Sequence, residues 1–219
     1  MSAARVPQSA QPPERIVAGP LVLRKMRPED AGAIAAVVGE SLDHLRPWMP
    51  WANKDAADQR TQLARIIEAD ELWESGTDYI YAIFAADDGA PDGAGDGAAG
   101  GPGNGRADDW DGALVGTIGL HRRSGEGIIE IGYWIAVAQT RRGYGTTAAR
   151  AATSVAERMP GIKQVEIQCD EANVASAGIP RKLGYRLDRV EKHEAEAPGE
   201  QGRRMIWLWD VDGAGDGAR

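Results

Sequence analysis

Gly143-x-Gly145 opens a run of small residues at helical spacing, and Arg141 and Arg142 stand just before it. Glycines let the backbone turn tightly and remove side chains that would block a ligand. The backbone N–H groups of Arg142, Gly143, Tyr144, Gly145, Thr146 and Thr147 then point outward from a positive helix end. Such a turn can cradle a pyrophosphate, with the guanidinium groups adding charge beside it. The plain alternative is a helix N-terminus with packing glycines and solvated arginines. Gly143-x-Gly145-x-x-Ala148 also fits the loose dinucleotide fingerprint GxGxxA, which makes a nicotinamide-dependent oxidoreductase a rival. Two features weigh against that rival. Five residues separate Val137 from Gly143, whereas the fingerprint follows its strand almost directly, and the strand here leaves a hairpin rather than opening a βαβ unit.

Other reactive side chains are sparse. Cys169 is the single cysteine, so no disulfide, CxxC zinc site or iron–sulfur cluster can form within the chain. No histidine is placed to activate it, and it reads as a small core residue. His44, His121 and His193 are scattered and match no metal spacing, so no metal is expected.

The elements that must hold the glycine turn follow from periodicity. LVLRKM (21–26) and YIYAIFA (79–85) read as strands, with helices over 28–42 and about 56–74 between them. ALVGTIGLHRR (113–123) and GIIEIGYWIAV (127–137) read as a hairpin. A helix after Gly145 buries Ala148, Ala149, Ala152, Val155 and Ala156. KQVEIQCD (163–170) alternates as a strand. Residues 174–183 form a short helix distorted by Pro180, and two more strands close the chain. The order β α α β β β α β α β β describes one mixed α/β (α+β) domain around one sheet.

The 219 residues suit a single core. Residues 1–15 read as a disordered tail, 16–210 as the domain, and 211–219 as a second tail. The segment 87–112 carries seven aspartates, one arginine and nine of the 28 glycines, and reads as a solvated insertion between strands. The net charge of −8 resides in this insertion and in residues 210–219. No dense basic stripe supports nucleic-acid binding. No apolar run suits a membrane span and the N-terminus lacks a secretory pattern, so the expected location is cytoplasmic.

EIGYWIAVAQTRRGYGTTAARAA followed by VEIQCDEANVASAGIPRKLGY resembles the acetyl-CoA-binding core of the GNAT N-acetyltransferases. It is most similar to the RimJ/RimL type, which acetylates protein N-termini, notably of ribosomal proteins. HLRPWMPW is similar to a Trp-Met-Pro-Trp segment of those proteins, and the likeness spans about residues 20–210. Thr140 stands where the family loop has Gln or Arg, which touches one phosphate-side contact and leaves the backbone cradle. The resemblance implies a largely antiparallel sheet of about seven strands with helices on both faces. It implies an enzyme moving acetyl from acetyl-CoA, its co-substrate, to a primary amine by direct transfer. The acceptor expected is a ribosomal or other protein N-terminus, or else a small-molecule amine such as an antibiotic or toxin. A non-catalytic CoA-binding module is the further alternative, and the chain is expected to act as a monomer or homodimer.

Roles follow by the same likeness. The main chain of Ile135, Ala136 and Val137 is expected to bind the pantetheine arm and thioester and to stabilise the oxyanion. Asn173 either bonds the pantetheine amides or caps a helix. Ser176 either protonates the thiolate or bonds within the helix N-terminus; many GNATs use a tyrosine seven residues after the asparagine, where Pro180 stands here. Glu130 is a candidate base, or else an outward-facing strand glutamate. Glu194 and Glu196 are weaker candidates. Trp48, Met49 and Trp51, with His44 nearby, either wall an acceptor pocket or pack over the core.

Overall fold

The computed structural model describes residues 11–85 and 112–211. The expected insertion up to Asp111, residues 1–10 and the segment after Val211 lie outside them. Eight strands form one sheet: β1 (Arg15–Ala18), β2 (Leu21–Lys25), β3 (Asp78–Ala85), β4 (Ala113–His121), β5 (Ile128–Ile135), β6 (Gln164–Asp170), β7 (Arg186–Lys192) and β8 (Arg203–Asp210). Their spatial order is β1-β2-β3-β4-β5-β6-β8-β7, antiparallel throughout except for β5–β6. The helices are α1 (Ala31–Leu45), α2 (Gln59–Ser75), α3 (Tyr144–Ala156) and α4 (Val174–Leu183).

The expected tail over 1–15 is too long by several residues. Arg15 opens β1, Tyr81 Oη donates to the Pro13 carbonyl at 3.0 Å, and Gln11 Nε2 donates to the Trp73 carbonyl at 3.3 Å. A strand of four residues carries too short a period-two signal to stand out beside prolines. Gly19, at φ 56°, turns it back onto β2. Other boundaries moved for local reasons. The Asp30 carboxylate accepts the Arg27 N–H at 2.7 Å and pairs with Arg24, fixing a 3-10 turn at 28–30 ahead of α1. Asp58 accepts the N–H groups of Arg60 and Thr61, so α2 starts after it rather than at residue 56.

Strand alternation sorts side chains onto two faces. On one face Ile83, Ile118, Ile129, Ile131, Val165 and Ile167 pack with Ala148, Ala149, Ala152 and Ala156 of α3 and Ala177 of α4. The alanine stripe lets α3 approach the sheet closely, as its spacing predicts. On the other face Ala82, Phe84, Leu114 and Trp134 pack with Ile34, Val38 and Leu45 of α1 and Ile66 of α2. A bulge at Val115–Gly116 keeps β4 in step with both neighbours. Gly116 lies at φ 154°, and a Cβ there would stand 2.1 Å from the Trp134 carbonyl oxygen, so only glycine fits.

The feature that positions the site is a parting of strands. β5 and β6 pair through only Ile128↔Gln164, Ile129↔Val165 and Glu130↔Glu166. Beyond them β5 stays with β4 to Ile135, while β6 stays with β8 to Asp170.

Candidate active site

A cleft of about 1030 Å³ opens where the two strands diverge. Its wall takes residues from both faces of the sheet: Tyr133, Cys169, Asn173 and Ser176 on the α3–α4 side, and Gly132, Trp134, Gln168, Trp48 and Trp51 on the α1–α2 side. The opening therefore passes through the sheet, and two reactants entering from opposite faces can meet in it.

The gap exposes main chain. The Gly127 carbonyl accepts from Lys163 and Gln164, so it faces β6. By the two-residue repeat of a strand, Tyr133 and Ile135 turn their N–H and C=O groups the same way, past the point where β6 has left. Of the three residues expected to bind the thioester, only Ile135 meets this condition. The Ala136 N–H donates to the Val115 carbonyl at 2.9 Å, and the Val137 N–H donates to Ser41 Oγ at 3.1 Å. Their carbonyls accept from Gln139 and Thr140. The cause is that β5 ends at Ile135 and enters a 3-10 turn at 137–139.

The backbone of the glycine turn is tight, and one N–H leaves the expected set. Arg141 (φ 65°) and Gly143 (φ 81°) take left-handed backbone conformations, and Gly143 precedes the first turn of α3. A Cβ on Gly143 would meet nothing within 4 Å, so open space lies over the turn. The N–H groups of Tyr144, Gly145 and Thr146 have no partner one turn back. The Thr147 N–H is taken by the Gly143 carbonyl at 3.0 Å and leaves the expected set. Tyr144 buries its ring in the core, so it contributes main chain only.

Asn173 caps α4: its Oδ1 accepts the Ser176 N–H at 3.1 Å. Ser176 Oγ lies 3.2 Å from Tyr133 Oη, and Tyr133 Oη donates to the Ser176 carbonyl at 3.3 Å. Pro180 explains that carbonyl. Having no N–H, it leaves the oxygen four residues earlier without its helical donor, and the phenol supplies one. Sequence reasoning missed Tyr133, although the Ser176–Pro180 spacing signals a need for an outside donor. Burial pushes the Tyr133 phenol well above its usual range, so it stays protonated. Cys169 adjoins the same serine, and burial pushes its thiol up to about 11, so it holds its proton at neutral pH. Both groups are therefore protonated at neutral pH, which argues against a cysteine nucleophile.

Glu130 lines the cleft, but its carboxylate is engaged. Arg123 Nε donates to Oε2 at 2.8 Å, Arg123 Nη2 bonds Oε1, and Ser124 Oγ donates at 3.3 Å. Burial alone would raise its pKa; the Arg123 guanidinium outweighs that and holds it below the usual carboxylate range. A clamped, weakly basic carboxylate suits a structural pair better than the base expected of it. Glu196 lines the cleft as well, whereas Glu194 does not. Trp51 tilts against Trp134 with ring centroids 6.1 Å apart, and Arg65 lies 5.2 Å over the Trp51 ring. His44 falls on the exposed last turn of α1, outside this wall. Among the described residues no cluster of His, Cys, Asp and Glu could hold a metal ion, and no helix is long and apolar enough to cross a membrane.

The chain matches the family model of the GNAT acetyltransferase domain over residues 20–186. Its fold is similar to RimL, a ribosomal L7/L12 α-N-protein acetyltransferase in complex with coenzyme A (TM-score 0.71, 17% identity, 90% of this chain and 97% of that one). It is similar to MccE, a microcin C7 self-immunity acetyltransferase in complex with acetyl-CoA and AMP (TM-score 0.73, 14% identity, 93% and 100% covered). It is also similar to RimJ of Mycobacterium smegmatis in complex with a CoA disulfide (TM-score 0.70, 18% identity, 88% and 82% covered). No curated protein matches it. With its strands parted beside a glycine turn and the family model matched over most of its length, the chain belongs to the GNAT acetyltransferases.

Proposed function

We propose that the protein transfers acetyl from acetyl-CoA directly to a protein or peptide N-terminal α-amine. The observation that carries this reading is the cleft running through the sheet between β5 and β6. From the α3 side, the N–H groups of Gly143, Tyr144, Gly145 and Thr146, with Arg142 beside them, take the pyrophosphate. The Tyr133 and Ile135 main chain holds the pantetheine arm and thioester, and its N–H groups face the developing oxyanion. Asn173 keeps its Nδ2 for a pantetheine carbonyl. The Ser176–Tyr133 hydroxyl pair protonates the departing thiolate.

From the other side, Trp48, Trp51 and Trp134 receive the acceptor. An α-amine, with pKa ~7.7–8.0, supplies far more neutral nucleophile at pH 7 than a lysine at ~10.4. Structures named as ribosomal-protein acetyltransferases among the similar folds support a polypeptide acceptor. The test is side-by-side kinetics on one peptide with a free N-terminus and its N-blocked, lysine-containing counterpart. Faster CoA release with the free N-terminus is expected. Preference for the blocked peptide refutes the acceptor assignment.

A further inference from the structure

Glu130 is clamped by Arg123, so the cleft needs another group to take the proton of the attacking amine. His193 is engaged on both ring nitrogens, with Asp170 Oδ2 3.2 Å from Nε2 and Arg204 Nη2 3.3 Å from Nδ1. We infer that His121, oriented by Asp78, is the base that accepts the acceptor amine's proton. This rests on the acetyl-transfer reading above.

His121 ends β4 and is the register partner of Asp78 at the start of β3. Asp78 Oδ2 stands 3.2 Å from His121 Nδ1, and the two side chains are 18% and 13% exposed. The approach is not well aligned as a hydrogen bond, a common state of catalytic pairs before substrate closes the site. A carboxylate on Nδ1 favours the tautomer whose Nε2 carries the free lone pair.

The position of Nε2 is set by two glycines. Gly119 and Gly132 are cross-strand partners on β4 and β5. A Cβ on Gly119 would stand 2.5 Å from Nε2, and one on Gly132 3.3 Å from it. The ring therefore lies back over bare backbone, and any side chain at 119 would evict it. Nε2 thus stands over the residue that precedes Tyr133, whose main chain faces the gap. His121, Gly119 and Gly132 all line the cleft.

The step balances. The amine nitrogen bonds the thioester carbon, and its proton passes to Nε2. The C–S bond breaks, and the sulfur takes a proton from the Ser176–Tyr133 pair. Solvent then removes the proton from the imidazolium and restores the hydroxyl.

The experiment measures His121→Gln and Asp78→Asn with a panel of acceptor amines of graded basicity. His121→Gln is expected to lower kcat at least ~100-fold, in the range of a lost general base, with CoA affinity by calorimetry unchanged. The loss should grow with amine basicity, and added imidazole should restore part of it in His121→Ala. Asp78→Asn should show the same basicity trend with a smaller loss. A His121→Gln enzyme within threefold of wild type, or an equal loss on every amine without imidazole rescue, overturns the assignment. An error in the acceptor class shows separately, as a changed ranking of amines by the wild-type enzyme.

Discussion

The Asp170 carboxylate ties three segments together at the mouth of the cleft. Oδ1 accepts the Ala172 N–H at 2.9 Å, Oδ2 accepts those of Gln201 and Arg203 at 3.1 Å, and His193 adds a fourth contact. Burial would raise its pKa, but these donors to the charged form bring it down to about 2. A depressed carboxylate pKa contributes stability above the ordinary ~3.9 that is lost as pH falls through the folded value. Asp170→Asn is therefore expected to cost about 1–3 kcal/mol at pH 7, the range for losing charged hydrogen bonds. The gap to wild type should narrow between pH 4 and pH 2. Urea midpoints at pH 7 and pH 3 check this, and a gap independent of pH counts against it.

At the scale of one element, the turn into α3 joins two requirements at Gly143. Its φ of 81° disfavours any side chain, and the space above it is open for a ligand. Gly143→Val should cost ~1–3 kcal/mol in backbone strain. It should also weaken CoA binding at least tenfold, because the branched side chain would fill the place proposed for the pyrophosphate. Calorimetry on the folded variant measures the second effect apart from the first, and unchanged affinity removes the turn from the binding site. Gly145 differs: a Cβ there would press on Ile179 Cδ1 at 2.9 Å, so its smallness serves the contact between α3 and α4 as well.

Across the whole molecule, the parted strands join β1–β5 to β6–β8 by only three residue pairs in register. A ligand held by α3, β5 and α4 together binds only the folded chain. At 100 times its Kd, acetyl-CoA should stabilise by about 2.7 kcal/mol. For a chain of this size that corresponds to a Tm rise of ~5–10 °C. NAD should give none, since the strand before the glycine turn belongs to an antiparallel hairpin with β4. A thermal-shift comparison decides, and an equal response to NAD would revive the nicotinamide reading.

What was legible in the sequence lies close together along the chain. Periodicity placed seven strands and four helices, and the alanine stripe of α3 identified its buried face. The glycine turn, the Asn173 cap and the Ser176 position were readable because each depends on neighbours within a turn or two. Tertiary structure decided everything that depends on partners distant in sequence. Of Ile135, Ala136 and Val137 only Ile135 keeps its main chain open to the gap, with Tyr133 beside it, because Val115 and Ser41 claim the N–H groups of the other two. Glu130 read as a base until Arg123 closed on both its oxygens, and His44 read as part of a wall that its place on α1 turns it away from. His121 looked isolated because Asp78 and Gly132 reach it only through strand register. Side-chain periodicity reports which face a residue takes, whereas a site is made by which strands pair and where they stop pairing.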